Sequence, residues 1–298
     1  MGALVALTSL IGHVVSPVSH FSVALTTYKQ DRIAFRRFAE FLSLPDDLGL
    51  QRGSALTLRD GAVVFDGVSF AYGDRPVIDD LTVTLGGGRT TALVGPSGAG
   101  KSTLVQLLLH LIKPDGGRIM VDGQDLADVS LQSFYRQVAY IPQEPPVFDG
   151  TIRENIVFDA PVDEVALQDV VAQAGFLDLV TRLPQGLETV VGERGIKLSG
   201  GERQRLAFAR LMVQQPRIVV MDEPTSSLDS LTEAVVTRNL ADFLARRTVL
   251  VIAHRLQTVQ GADRILVLDE GRIVQDGTFA SLVAVEGLFR QMWAEQTG

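Results

Sequence analysis

The stretch Gly95–Thr103, with the sequence GPSGAGKST, constrains the chain more than any other. It follows a short apolar run, 91–94, that predicts a buried strand, and it precedes an apolar segment, 104–112, that predicts a helix. Its three glycines permit backbone conformations that a Cβ would hinder, so consecutive N–H groups can point at one anion. The positive end of the following helix dipole adds to this attraction. A loop of this kind between a strand and a helix predicts a phosphate-binding site.

Two side chains at the end of this loop suit a nucleotide. Lys101 can reach the outer phosphates, and the Ser102 hydroxyl can ligate Mg²⁺. The alternative is a glycine-rich turn that carries a lysine by chance. The predicted strand before the loop and the predicted helix after it favour the phosphate site.

Composition and charge exclude some classes of protein. A length of 298 residues allows one large domain or two small ones. The chain carries 27 basic and 35 acidic residues, a net charge of −8. This balance argues against a nucleic-acid partner, because such binding depends on basic side chains against phosphates. The absence of cysteine excludes disulfides, cysteine nucleophiles and thiolate metal sites.

The first segment, 1–28, contains no Asp, Glu, Lys or Arg. As a helix it would reach roughly 42 Å, more than the ~30 Å of a bilayer's hydrocarbon core, so it predicts a transmembrane span. Basic residues follow from Lys29 onward, which favours the cytoplasmic side for the rest of the chain. The alternatives are a buried helix, since polar residues interrupt the run, and a signal peptide, which would need a basic start and a cleavage site.

Helical spacing of apolar residues continues to Leu44–Pro45. We therefore expect one long helix that ends there and comprises the span and a cytoplasmic extension, within a first domain over 1–48. Turn-forming residues then predict a linker over 49–59, and we expect a second domain over 60–298.

The second domain alternates strand and helix patterns, which predicts an α/β fold. Residues 151–210 carry helical spacing, and strand signals are absent from 151–195, so they predict a helical subdomain inserted between strands of the core. The predicted strands are 63–70, 81–85, 91–94, 118–121, 138–141, 217–223 and 248–253, followed by a hairpin of 264–268 with 272–274.

The predicted strand that begins at Arg217 continues as an uninterrupted apolar run and ends in two adjacent carboxylates, Asp222 and Glu223. Open α/β sheets bind ligands at the carboxyl ends of their central strands. Asp222 therefore suits Mg²⁺, held directly or through water. Glu223 suits a general base that orients an attacking water. The alternative is a strand end that enters a polar turn.

Three further residues are candidates on weaker local evidence. Gln143, just after a predicted strand, can place a side-chain oxygen near a metal or a water. His254, at the end of another strand, can hydrogen-bond a phosphate, although a lone histidine is more often structural. Tyr72, on a predicted loop, can stack on a purine or be an ordinary turn tyrosine.

The segment Leu198–Arg205 opens a strongly helical run. Ser199 is the predicted N-cap, and Glu202 three residues later completes the spacing of a capping box. The small residues Gly200 and Gly201 at the helix start also suit a second anion site. Local physics alone favours the plain capped helix.

In this order the motifs resemble the ABC ATPase family of P-loop nucleoside triphosphatases over about residues 60–298. The resemblance identifies Gly95–Thr103 as the Walker A motif, Gln143 as the Q-loop, Leu198–Glu202 as the signature, Arg217–Glu223 as Walker B, Ser226–Asp229 as the D-loop, His254 as the switch histidine and Tyr72 as the adenine-stacking aromatic.

The N-terminal part resembles the exporter branch of this family. Residues 1–50 are similar to its last transmembrane helix with the extension that follows, and residues 191–195 resemble one of its motifs. Three positions depart from the usual pattern. Glu202 stands where the signature more often has Gln, and Pro224 and Ser227 stand where exporters usually have Ala.

The resemblance implies a P-loop fold with an antiparallel β subdomain and a helical insert, and it implies ATP and Mg²⁺ as cofactors. Glu223, His254 and Gln143 are then catalytic, and Ser102, Gln143 and Asp222 hold the Mg²⁺. The implied ATP contacts are Tyr72, Gly95, Pro96, Ser97, Gly98, Ala99, Gly100, Lys101, Ser102, Thr103, Ser199, Gly200, Gly201, Glu202 and Asp229.

The resemblance further implies a homo- or heterodimer of nucleotide-binding domains, with each ATP between the Walker A of one and the signature of the other. We expect the C-terminal part of a half-transporter in the cell inner (plasma) membrane, with this domain on the cytoplasmic side. We expect its partners to include transmembrane helices that are missing from this chain. ATP hydrolysis would power export of a multidrug, lipid or peptide substrate. The alternative is a soluble ABC ATPase without a transport role.

Overall fold

A computed structural model describes most of the chain. Its described residues are 2–3, 21, 23–25, 27–29, 31–33, 35–36, 38–39, 52–158, 160–193, 195–223, 230–253 and 255–297, with backbone only for 230–235. The chain divides into two compact units, Met1–Leu48 and Gly49–Gly298.

In the first unit the described positions are helical and exposed, and they include apolar residues such as Phe21 and Phe35. Most of the predicted transmembrane segment lies outside the described residues, as does the predicted helix end at Leu44–Pro45. Among the described residues, no helix combines the length and the apolar character needed to cross a membrane.

The second unit alternates strands and helices as predicted. The strands are β1 Val63–Tyr72, β2 Arg75–Leu85, β3 Thr90–Val94, β4 Gly116–Val121, β5 Gln124–Asp125, β6 Val138–Ile141, β7 Gly150–Thr151, β8 Val190–Val191, β9 Ile218–Asp222, β10 Thr248–Ile252, β11 Arg264–Asp269 and β12 Arg272–Gly277. The helices are α1 Lys101–Leu108, α2 Leu131–Tyr135, α3 Ile152–Val157, α4 Glu164–Gln173, α5 Leu177–Arg182, α6 Gly200–Gln214, α7 Ser230–Leu244, α8 Phe279–Ala284 and α9 Leu288–Thr297.

The central sheet has the strand order β12-β11-β3-β10-β9-β6. All neighbours in it are parallel except β12, which forms the predicted hairpin with β11. Asp222 pairs with Ile252, which in turn pairs with Leu93, and Met221 pairs with Ile141. The carboxyl ends of β3, β10, β9 and β6 therefore meet at one edge of the sheet, where the sequence predicted a ligand site.

Strand β9 is buried on both of its faces. Ile218 and Val220 contribute to one hydrophobic core, and Val219 and Met221 contribute to another. Alternate residues of a strand point to opposite faces, so a continuous apolar run is what a strand covered on both sides requires. The prediction made from this run is confirmed.

A second, antiparallel sheet has the order β2-β1-β4-β5. It packs its buried residues, Phe65 among them, into the same core as Leu104 and Leu107 of α1. The predicted antiparallel β subdomain is confirmed. It covers the helix that follows the glycine-rich loop.

Helices α3 to α6 form the predicted helical subdomain, with Ile152, Phe176 and Leu206 in its core. One detail of the prediction is wrong, because strands β7 and β8 form a short antiparallel pair within or beside the segment expected to lack strands. Each is two residues long, so neither can show an alternating pattern in the sequence.

Several predicted boundaries also differ from the structure. Strand β2 was predicted over 81–85 and begins at Arg75, because it pairs with β1 directly after the turn. Helix α1 begins at Lys101 and ends at Leu108, four residues before 112, because His110 adopts a left-handed conformation with φ of 53°. Tyr72 is the last residue of β1 and pairs with Arg75, whereas the sequence predicted a loop position. The short turn between β1 and β2 leaves too few residues for a separate loop.

The described part of the predicted linker lies along the second unit. The N–H groups of Ser54 and Leu56 donate to Asp128 O and to Ser133 Oγ, each at 2.8 Å. Three further N–H groups, those of Arg59, Gly61 and Ala62, donate to the Asp122 carboxylate at 2.7–2.9 Å. Residues 54–62 are therefore held by the backbone carbonyl of Asp128 and by the side chains of Asp122, between β4 and β5, and of Ser133 on α2.

Candidate active site

The glycine-rich loop connects β3 to α1, as predicted. A Cβ on Gly95 would lie 2.0 Å from the carbonyl oxygen of Leu268 on β11, so this position has room for glycine alone. Gly100 is the N-cap of α1 and has φ of 106°, which side chains strongly disfavour. The two glycines let the loop lie against the sheet and turn directly into the helix.

The rest of the loop is divided between solvent and core. Pro96, Ser97, Gly98 and Ser102 are exposed, whereas Ala99 and Thr103 are buried. The exposed part is the part that a phosphate could approach. Ser102 places its hydroxyl on the first turn of α1, beside Lys101.

Lys101 is only 6% exposed, and its ammonium donates hydrogen bonds to Gly95 O at 2.7 Å and to Pro96 O at 2.9 Å. Burial lowers the pKa of Lys101, and the negative charges of Asp222 and Glu223 oppose that effect. The structure thus brings the loop lysine and both predicted carboxylates into one electrostatic neighbourhood. The charge of Asp222 also reaches β6, where it adds to burial in raising the pKa of Tyr140.

Glu223 follows the last residue of β9. Its φ is 47°, a left-handed conformation that is uncommon for a residue with a side chain and that concentrates at functional sites. Its N–H donates to Ile252 O at 3.0 Å, and its Oε2 accepts a hydrogen bond from Gln143 Nε2 at 3.0 Å. Two predicted catalytic residues that are 80 positions apart in sequence are therefore in direct contact.

Tyr72 stands beside the helix that carries the loop. Its hydroxyl donates to Gln106 Oε1 on α1 at 2.8 Å, and its ring packs edge-on against Phe70 with 4.8 Å between centroids. The side chain remains 51% exposed. An exposed ring fixed to α1 is available for stacking, whereas a turn tyrosine would not be anchored to this helix.

The predicted capping box at the start of α6 is present. Ser199 donates through its N–H and its hydroxyl to Glu202 Oε2, at 2.7 and 2.8 Å, and accepts from the Glu202 N–H at 3.4 Å. No hydrogen bond or ion pair among the described residues joins 199–202 to the loop 95–103. The two predicted phosphate elements of this chain are thus not linked by such bonds to each other.

Some predicted residues lie outside the described part of the chain. They are Asp229 with the rest of the predicted D-loop, His254, and the two departures Pro224 and Ser227. The predicted roles of Asp229 and His254 stay predictions.

Sequence reasoning missed one polar residue that contacts this site. Gln204 on α6 is 1% exposed, and its Nε2 lies 3.5 Å from the carbonyl oxygen of Glu223. A signal existed, because Gln204 shares the helical spacing of the buried residues Ala207, Phe208 and Leu211. That spacing places it on the face of α6 that packs against the rest of the unit.

Sequence reasoning also missed a buried arginine. Arg210 donates to Asn155 O at 2.6 Å, to Asn155 Oδ1 at 2.7 Å and to Pro146 O at 2.6 Å. Its guanidinium carbon lies 5.3 Å from the ring centre of Phe148 and 5.4 Å from that of Phe158. These contacts join the segment after Gln143 to α3 and α6. No local pattern distinguishes such an arginine from the exposed ones.

Comparisons with known proteins agree with this geometry. A family profile described as "ABC transporter" matches residues 78–226, which are 149 of the 298 residues. A bacterial Atm1-family ABC exporter with ATP bound has a solved structure that superposes with a TM-score of 0.82 and 38% identity, covering 91% of this chain and 49% of that one.

Two curated relatives match almost the whole chain. The ATP-dependent lipid A-core flippase of Methylococcus capsulatus is 38% identical over 302 residues, covering 100% of this chain and 50% of the relative. The mycobactin import ATP-binding/permease protein IrtB of Mycolicibacterium smegmatis is 40% identical over 293 residues, covering 98% and 51%. The chain spans about half the length of the curated relatives it matches. The glycine-rich loop, the paired carboxylates and these similarities lead to one conclusion. The chain belongs to the ABC transporter family and contains the family's ATPase domain.

Proposed function

We propose that the second unit binds and hydrolyses ATP in an ABC exporter. The observation that carries this proposal is the contact between Glu223 and Gln143 at the sheet edge where Lys101 also lies. Phosphoryl transfer to water requires a proton acceptor, a polar group that orients the water and a cation near the phosphates. This edge of the sheet offers a carboxylate, an amide and a buried lysine beside a phosphate loop.

In this proposal Glu223 accepts a proton from the water that attacks the γ-phosphorus, while ADP leaves. Gln143, already bonded to that carboxylate, orients the same water. The Lys101 ammonium releases its hydrogen bonds to Gly95 O and Pro96 O and binds the outer phosphates instead. The loop N–H groups bind the remaining phosphate oxygens. The ring of Tyr72 stacks on the adenine.

The oxygen donors of this site suit Mg²⁺. Within the described ranges, no cluster of three or more His, Cys, Asp or Glu side chains is placed to hold a metal. Mg²⁺ is usually bound by one or two carboxylates together with substrate phosphates, and it needs no such cluster. We assign Asp222 and the Ser102 hydroxyl to Mg²⁺, with Gln143 as a further oxygen donor. The ion neutralises charge on the phosphates when it is bound.

The proposal includes a second nucleotide-binding domain. The loop 95–103 and the start of α6 are both suited to phosphate, and no described hydrogen bond joins them within the chain. We propose that the α6 start of one domain covers the ATP held by the loop of its partner. Asp229 and His254 are assigned to the same interface and to the γ-phosphate, as the resemblance implies.

We propose that residues 1–48 are the end of a transmembrane domain in the inner (plasma) membrane, with residues 60–298 on the cytoplasmic side. Relatives that match 98–100% of the chain are named as a flippase and an import protein, and a solved structure that matches 91% of it is named as an exporter. We favour export of a multidrug, lipid or peptide substrate. A soluble ABC ATPase is not favoured, because these relatives are membrane transporters and the similarity extends through the N-terminal segment.

The test of hydrolysis uses the full chain with Mg²⁺ and ATP. The parent should release phosphate, and Glu223→Gln should bind ATP but release almost none, because an amide of the same shape cannot accept the proton. Turnover of Glu223→Gln at the parent rate would overturn the role of Glu223. A parent chain that binds no ATP would overturn the proposed function.

The shared site is tested by mixing two variants in the Glu223→Gln background. Lys101→Ala removes one phosphate element, and Ser199→Arg blocks the other. In a mixed dimer one site carries both defects, and the other combines an intact loop with an intact α6 start. About one ATP trapped per mixed dimer supports sharing between chains. No trapped ATP, with both variants folded and shown to pair, contradicts it.

A further inference from the structure

The backbone of Glu223 is held in an unusual conformation by contacts on three sides. Its N–H donates to Ile252 O on β10, its carboxylate accepts from Gln143 after β6, and its carbonyl oxygen lies 3.5 Å from Gln204 Nε2 on α6. The left-handed φ of 47° needs such contacts to persist, because an unconstrained residue with a side chain rarely adopts it.

Among these three partners, Gln204 is the one whose side chain is costly to bury. It is buried, and its Oε1 receives no hydrogen bond from any described residue. A buried acceptor without a donor is unfavourable, and an apolar side chain of the same length would avoid that cost. Stability therefore does not account for an amide at this position, whereas its N–H donor has one identified target, the Glu223 carbonyl.

We propose that Gln204 is a positioning residue for Glu223, acting through the backbone of that residue. Holding the carbonyl fixes the peptide plane after Glu223, and with it the direction of the carboxylate toward Gln143. This inference rests on the proposed hydrolysis. It also connects the start of α6 to Glu223 within one chain, because Gln204 lies five residues after Ser199 on the same helix. A shift of the α6 start when it contacts a ligand would therefore move the donor that holds Glu223.

The experiment compares Gln204→Met and Gln204→Leu with the parent full chain. Both side chains remove the donor: Met keeps the length of Gln, and Leu is a shorter apolar side chain. The matched control is Gln214→Met, at the exposed far end of the same helix. Three quantities are measured: the melting temperature, kcat with KM for ATP, and hydrogen exchange at the Glu223 amide without nucleotide.

For Gln204→Met we expect an unchanged or higher melting temperature, a kcat reduced about tenfold with KM within twofold, and faster exchange at the Glu223 amide. Gln204→Leu should show the same loss of kcat and the same faster exchange. The Gln214→Met control should match the parent in all three measurements. A merely structural role would lower the melting temperature and leave the kcat of the folded protein intact.

Exchange at Glu223 separates this inference from the proposed function, because it needs no turnover. If the parent lacks ATPase activity, the proposed function fails, and the exchange result still decides whether Gln204 holds Glu223. Exchange equal to the parent in both Gln204 variants overturns the proposal. Reduced kcat with unchanged exchange overturns it as well, since the effect would not pass through the Glu223 backbone.

Discussion

Replacing Arg210 with Met tests how the segment after Gln143 is fixed to the helical subdomain. Arg210 is 9% exposed and has no carboxylate partner among the described residues, because its three hydrogen bonds go to Asn155 O, Asn155 Oδ1 and Pro146 O. Burial lowers the pKa of its guanidinium to about 10. The lowering from the ordinary value of 12.5 corresponds to a free-energy cost of about 3 kcal/mol for burying the charge.

The expected cost of the substitution follows from the groups left behind. Three hydrogen bonds from a charged donor contribute about 1.5 kcal/mol each, so they roughly offset the burial of the charge in the parent. Met removes both contributions and leaves Asn155 O without the Arg210 donor, at about 1 kcal/mol. Asn155 Oδ1 still accepts from the Phe148 N–H at 2.9 Å and adds no such cost. The Pro146 carbonyl is nearer the surface and can turn to water. We therefore expect Arg210→Met to lower the free energy of unfolding by about 1–2 kcal/mol.

The assay is urea denaturation followed by circular dichroism, with hydrogen exchange over 146–158 to locate the change. Arg210→Lys keeps the charge but can reach only part of the three acceptors, so it should lie between Met and the parent. In a double-mutant cycle with Asn155→Leu, the coupling should exceed about 1 kcal/mol. A loss below about 1 kcal/mol in Arg210→Met, or full recovery in Arg210→Lys, would refute this reasoning.

Three further outcomes are expected. Lys101→Ala should abolish binding of a fluorescent ATP analogue, because the outer phosphates lose their main cation. Tyr72→Ala should weaken ATP binding by up to about a hundredfold while the Mg²⁺ dependence remains, since stacking on a base is worth ~1–3 kcal/mol in nucleic-acid complexes. Asp122→Asn should lose about 1 kcal/mol of stability at pH 7, because it weakens charge-assisted bonds to the N–H groups of residues 59–62. Burial alone would raise the pKa of Asp122, but those N–H groups outweigh it and lower the pKa. The difference in unfolding free energy between Asp122→Asn and the parent should therefore have its full size above about pH 4. It should vanish as the pH falls through the pKa that Asp122 has in the folded state.

Each of these variants has a matched control. Lys197→Ala removes an exposed lysine and should bind ATP like the parent. Tyr72→Phe keeps the ring and loses only the bond to Gln106, so near-parent affinity is expected; equal losses in Phe and Ala would contradict stacking. Asp74→Asn changes an exposed carboxylate with no recorded hydrogen bond and should leave the unfolding curve unchanged at every pH. A constant gap between Asp122→Asn and the parent from pH 7 to pH 3 would contradict the charge argument.

The features that could be predicted from the sequence are those settled by neighbouring residues. Gly95 and Gly100 indicate the loop because glycine alone tolerates its close approach and its left-handed turn. Ser199 and Glu202 indicate the start of α6 because a capping box closes within four residues. The apolar run of β9 indicates burial on both faces because strand side chains alternate. In each case the energy that decides the structure arises between residues close in sequence.

The tertiary structure decided the contacts between distant segments. Gln143 was only a weak candidate until the pairing of β6 with β9 placed it 3.0 Å from Glu223. The helical spacing of Gln204 indicates the packed face of α6, whereas Arg210 resembles the exposed arginines. Only the packing of α6 against the sheet edge and α3 placed these two side chains against Glu223 and Asn155. Such contacts depend on which faces meet when the subdomains pack. A local pattern shows which face of a helix or strand is buried, but it does not show which segment packs against that face. The sequence by itself therefore determined the phosphate loop and the carboxylates. Only the fold determined which residues hold them in place.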